Sequence, residues 1–92
     1  MGLGKDTDYP TRPDNSLRIE IDETTASGIY SNLAIVNHSK SEIILDFIQM
    51  MPGVQQAKVK SRIILAPIHA KEILSALTQN IENYQKQFGE IK

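Results

Sequence analysis

The apolar residues of this chain change period at a single proline, and that switch constrains the fold more than any other feature. Before it, in "AKVKSRIIL", residues 57–65, the side chains alternate: Val59, Ser61, Ile63 and Leu65 on one side, Lys58, Lys60, Arg62 and Ile64 on the other. A period of two is the signature of a strand. After Pro67, the residues Ala70, Leu74, Leu77, Ile81, Tyr84 and Phe88 are spaced 4, 3, 4, 3, 4. That is an amphipathic helix, with Ser75, Gln79, Glu82 and Lys86 on its solvated side. Proline suits a first helical turn, where its missing N–H has no partner to lose. Gly89 suits the position just past a helix end. The spacing therefore predicts a strand from about Ala57 to Leu65 and a helix from Pro67 to Phe88.

Upstream, "LRIEID" alternates Leu17, Ile19 and Ile21 with Arg18, Glu20 and Asp22, which predicts a half-buried strand. "ETTASG" reads as a turn, with Gly28 free to take a positive φ. The β-branched run from about Ile29 to Asn37 predicts a second strand, "HSKS" a loop, and Glu42 to about Met50 a third strand. Pro52-Gly53 ends that strand in a turn. Short loops favour an antiparallel meander. The expected class is α+β: a four-stranded antiparallel sheet followed by one long C-terminal helix packed on one face. Residues 1–16, with two prolines and few side chains that could pack, read as a disordered tail before a single domain over 17–92.

The third strand is apolar on both sides. Ile43, Leu45 and Phe47 point one way, Ile44, Ile48 and Met50 the other, and only Asp46 interrupts the second face. In the second strand Leu33 and Ile35 share one side, Ala34 and Val36 the other. One helix covers one face, so a lone copy would leave the other wet, and apolar patches of that kind mark interfaces. The sequence thus predicts a homo-oligomer, most simply a two-fold dimer, with Ile44, Ile48, Met50, Leu33 and Ile35 as the candidate interface.

With 92 residues the chain has the length of one small domain, and with no cysteine it can have neither a disulfide nor a cysteine-bound zinc. A net charge of -1, from 10 basic and 11 acidic side chains, argues against general attraction to nucleic acid or anionic membrane. No apolar run approaches the roughly 20 residues that span a bilayer, and "MGLGKDTDYPTRPDNS" lacks the apolar stretch of a signal peptide, so the expected location is the cytoplasm.

Three clusters could carry chemistry. His69 lies in the predicted first helical turn with Lys71 and Glu72. Glu72 at i+3 could orient it as a base, but no recognisable motif supplies a nucleophile. The expected role is structural, with His69 against the backbone or the neighbouring strand. His38, in "VNHSKSE", has Glu42 and Asp46 nearby, but that spacing matches no metal signature, and the residue reads as part of a hairpin loop. Lys58, Lys60 and Arg62 form a basic row that could track phosphates. Without interleaved aromatics the row reads better as cross-strand pairing with acids such as Asp46, or as protection of an edge strand. No catalytic residue, cofactor or metal is expected.

Several short patterns then combine. They are Tyr30-Ser31-Asn32 at a strand start, His38-Ser39 at the turn, Asp46-Phe47 in the third strand, Ser61-Arg62-Ile63, and Pro67 to Lys71 as "PIHAK". Together they resemble a small bacterial family known only as a domain of unknown function. The family pattern leads one to expect Ser or Thr before the corner proline, where this chain has Ala66 and so lacks a side-chain cap, usually a contribution of about 1 kcal/mol. The resemblance implies no activity. The order of strands followed by a long helix is similar to the export chaperone SecB, an analogy of fold alone. The expectation is a non-catalytic, homo-oligomeric domain acting on a protein partner through apolar contacts, with nucleic-acid binding through the basic strand as the alternative.

Overall fold

The computed structural model describes residues 17–92, so the tail expected over 1–16 lies outside the described residues. The chain divides into two units, with the boundary between Tyr30 and Ser31. In the first unit, residues 17–22 form no strand. The four-stranded expectation is therefore corrected to three strands among the described residues. Alternation marks which side chains could share a face, but a strand exists only where a ladder pairs it, and these residues have none. Leu17 and Ile19 are exposed. The segment leads into a one-turn helix, α1, Glu23–Ala26, where the sequence predicts a turn. Asp22 caps it by accepting the Thr25 backbone N–H at 2.7 Å, and that bond holds its carboxyl below the usual carboxylate range. Gly28 follows at φ 78°, the left-handed conformation expected of it.

The second unit holds three strands and a long helix. The strands are β1, Leu33–His38, β2, Ile43–Gln49, and β3, Lys58–Leu65, in the antiparallel order β1-β2-β3. The hairpin between β1 and β2 closes with a bond from the Ser39 N–H to the Glu42 carbonyl at 2.9 Å. His38 is thus the last residue of β1, opposite Ile43, and does not belong to the loop assigned from sequence. Between β2 and β3, Pro52 and Gly53 occupy the two central positions of a turn. The Val54 N–H donates to the Met51 carbonyl at 3.3 Å, and Gly53 at φ 79° supplies the positive φ that a type II turn requires there.

The register places side chains in rows across the sheet. Ile35, Asp46 and Arg62 form one row, flanked on the same face by Asn37, Ile44 and Ile64, and by Leu33, Ile48 and Val59. The other face carries Ala34, Phe47 and Ser61; Val36, Leu45 and Ile63; and His38, Ile43 and Leu65. A register shift between Phe47 and Ile48 leaves Lys60 as an extra residue in β3, with no partner in β2. This bulge corrects the simple alternation expected for β3. Val59 joins the face of Arg62 and Ile64, while Lys58 stands opposite Gln49 on the other.

The second helix, α2, runs Pro67–Phe88, the span that the change of period predicts. Pro67 opens it, Ala66 makes no side-chain cap bond, and Gly89 at φ 97° ends it. Its placement departs from expectation. It contains no buried residue, and its contact with the sheet is with β3. The sequence predicts a helix packed on one sheet face; here it runs from the end of β3 with its stripe uncovered. The physical reason is the connection. Ala66 alone, in an extended conformation (φ −65°, ψ 147°), joins β3 to α2. Strand-to-helix connections that fold a helix back over its sheet usually take about 2–6 residues.

Candidate interaction surface

Packing within the second unit converges on β2, the strand with a neighbour on each edge. Ile48 is the one large apolar side chain to fall to 6% exposure among the described residues, and Asp46, two positions before it, is equally buried. A carboxylate at the centre of an apolar sheet face needs a partner. Arg62, directly across in β3, provides it. Nε donates to Asp46 Oδ1 at 2.7 Å and Nη2 to Oδ2 at 2.9 Å, the two-pronged geometry that suits a guanidinium and a carboxylate. These bonds hold the Asp46 carboxyl below its usual range, against the desolvation that pushes it up, and they raise the Arg62 guanidinium in turn. The Arg62 side chain remains 59% exposed against 8% for Asp46, so its outer surface is still open.

The basic row expected of Lys58, Lys60 and Arg62 is therefore not a free row. Arg62 is committed to Asp46, Lys60 sits at the bulge, and Lys58 falls on the opposite face from Arg62. Lys58 and Lys60 line a shallow hollow of about 200 Å³ with Gln49, Met51, Val54 and Gln56. The cross-strand pairing read from the sequence as the alternative to phosphate tracking is what the structure holds.

The candidate interface divides similarly. Leu33, Ile35, Ile44 and Ile48 share the face of Asp46 and Arg62, with Leu33 opposite Ile48 and Ile35 opposite Asp46. Ile48 is buried, Ile44 half-buried, and Leu33 and Ile35 remain exposed. Met50 lies beyond the end of β2, exposed, where the Asn32 side chain grips its backbone. Asn32 Oδ1 accepts the Met50 N–H at 2.7 Å and Nδ2 donates to the Met50 carbonyl at 3.0 Å. One amide side chain thereby extends the β1–β2 ladder by a rung. Ser31 adds hydroxyl bonds to the Leu33 and Ile48 carbonyls, each at 3.0 Å. In the sequence Tyr30-Ser31-Asn32 is only a pattern; an amide and a hydroxyl just before a β-branched run are the signal that this strand is locked at its start.

His69 differs from expectation. Its side chain is exposed and its Nδ1 lies 3.1 Å from Glu72 Oε1, so it pairs with the next turn of its own helix and not with the backbone or a strand. Both members of the pair are open to solvent, and His38 is exposed as well. Neither histidine lines the hollow of about 400 Å³ beside the Pro52 turn, formed by Asn32, Met50, Met51, Pro52, Val54, Gln55 and Ala57. Among the described residues no group of three or more His, Asp or Glu is placed to hold a metal ion. No helix of the described residues is long and apolar enough to cross a membrane.

A large apolar area remains. On α2, Ile73, Leu74, Leu77, Ile81, Tyr84 and Phe88 are all exposed, Leu74 and Phe88 at 66%. The rings of Tyr84 and Phe88 pack against each other at a tilt of 47°, with centroids 5.0 Å apart, along the stripe. The sheet adds Leu33, Ile35, Val36, Val59, Ile63 and Ile64. Scattered exposed apolar residues are ordinary; a continuous stripe over about four helical turns is not.

A family model described as a protein of unknown function, DUF3467, matches residues 4–92. The chain belongs to the DUF3467 family. No curated protein and no solved structure matches it. In this DUF3467 chain the patterns that suggested the family do visible structural work. Asn32 grips Met50, Asp46 holds Arg62, and Pro67 turns strand into helix.

Proposed function

We propose that this DUF3467 domain is a non-catalytic, homo-oligomeric protein-interaction module, chaperone- or adaptor-like in its use of apolar surface. The observation that carries the reading is the exposed α2 stripe, Ile73 through Phe88, on a helix with no buried residue. Each of those side chains keeps about half its surface in water, so covering it is worth on the order of 1 kcal/mol per residue. Most of the stability of an amphipathic helix comes from packing its apolar face, and α2 has no buried residue in its own chain. Both costs are relieved when a second copy covers the stripe. Surface left after assembly, on the sheet face of Val36, Leu45 and Ile63, is of the right character for an apolar protein segment.

A catalytic role has less support: His69 and Glu72 pair in the open on a helix surface, without a neighbouring nucleophile. Nucleic-acid binding has less support as well, because Arg62 is engaged by Asp46 and the overall charge is -1. The test is the mass of the full chain in solution by size-exclusion chromatography with light scattering at micromolar concentration. A multiple of 10.3 kDa is expected, and a strictly monomeric species contradicts the proposal. Salt-dependent capture of a nucleic acid that disappears in Lys58→Ala/Lys60→Ala would move the assignment to the alternative.

A further inference from the structure

The sheet has two edges, and they are built differently. The β3 edge carries Lys58, Lys60 and Arg62 and a bulge at Lys60. Charges, lysines above all, and bulges are the devices by which proteins stop an edge strand from pairing with another chain. Two β3 edges brought together would also set cations against cations, which is destabilising across a ladder. The β1 edge has none of these. "LAIVNH" contains no Lys, Arg, Asp, Glu or Pro, it pairs with β2 without a register shift, and every one of its six residues is exposed. Val36 is 62% exposed although it is a β-branched residue in the middle of a strand. The three strands of the described residues also make a small sheet, where about four to six are usual.

We propose that the β1 strands of two copies pair antiparallel about a two-fold axis, joining two three-stranded sheets into one of six strands. The occupant of the β1 edge is therefore a second copy of this chain. The strand suits itself: it has no charge to repel its mate, and Ala34, Ile35 and Val36 place small and β-branched side chains at the centre of the pairing. This inference rests on the homo-oligomer proposed above and names one of its contacts; the α2 stripe is a separate surface.

The absence of cysteine makes the test direct. Residues opposite each other in an antiparallel ladder have Cα atoms about 4.5–5.5 Å apart, within the range that a disulfide spans. Ala34→Cys, Ile35→Cys and Val36→Cys are made one at a time in the full chain, with Lys60→Cys as the β3 control, and oxidised mildly at micromolar concentration. At least one β1 variant is expected to convert mostly to a cross-linked dimer, at least tenfold faster than Lys60→Cys. If light scattering finds a dimer but no β1 variant cross-links, or Lys60→Cys cross-links fastest, the β1 edge is overturned while the homo-oligomer stands. If the uncross-linked chain is monomeric, both fall. A mixed sample in which Ile19→Cys couples to Val36→Cys in preference to Val36→Cys with itself would assign the edge to residues 17–22 and overturn the proposal.

Discussion

Strand β2 and helix α2 are both rich in large apolar side chains, yet their environments are opposite. β2 holds the buried Ile48 and Asp46, and its remaining residues are half-buried. α2, three times as long, buries none. The difference is one of neighbours. A central strand has partners on both edges, supplied here by short connections within the same chain. The helix has a single-residue link to β3 and, among the described residues of its unit, no element packed over its stripe. The contrast teaches that the two elements stand differently: β2 is covered by strands of its own chain, and α2 presents the stripe that the proposed second copy covers.

The contrast can be broken at α2 with the largest effect. Leu74→Asp/Leu77→Asp places two carboxylates in the stripe, and self-association should weaken roughly a thousandfold, about 4 kcal/mol, by sedimentation equilibrium. The β1–β2–β3 sheet should persist, visible in its circular dichroism. Next in size is Ile48→Ala, which opens a cavity in the one well-packed place. It should lower unfolding stability by about 3 kcal/mol in urea, whereas Ser75→Ala on the solvated side of α2 should change little.

The Asp46–Arg62 pair sharpens the comparison through pH. Its folded carboxyl is held below the unfolded value, so the unfolded chain binds the extra proton in acid. The stability it contributes is fully present above the unfolded carboxylate value, near about 3.9, and is lost as pH falls through the folded one. Arg62→Met should lower the thermal midpoint at neutral pH and much less in strong acid, where Asp46 is protonated. Equal losses at both would show that the pair acts only by packing. The smallest effect is a gain. Ala66→Ser restores a hydroxyl at the N-cap of α2 and should add about 1 kcal/mol, read as a raised midpoint.

Much of this was legible in the sequence, and the reasons are local. The α2 boundaries followed from a period, a proline and a glycine. The turn at Gly53 followed from Pro-Gly, and the two-faced character of β2 from its composition. What depends on pairing was not legible. "LRIEID" alternates as well as any strand in the chain, yet alternation says nothing about whether an edge is available to receive it. The bulge at Lys60 is a property of two strands in register, so the basic row looked continuous when β3 was read by itself. Asp46 and Arg62 were visible as an interruption and as a cation; their bond needed the ladder to set them opposite each other. The position of α2 departs from expectation for a related reason. The stripe marks an apolar face, but a stripe reads the same whatever covers it, or when nothing in its own unit does.

Hydrogen exchange as a function of protein concentration puts the central claim to the most direct test. If a second copy covers α2, amides from Leu74 to Phe88 should gain protection as concentration rises through the association midpoint, while those of β2 change far less. Protection of α2 that is strong and independent of concentration would mean that the helix is covered within its own chain, and the account would be wrong.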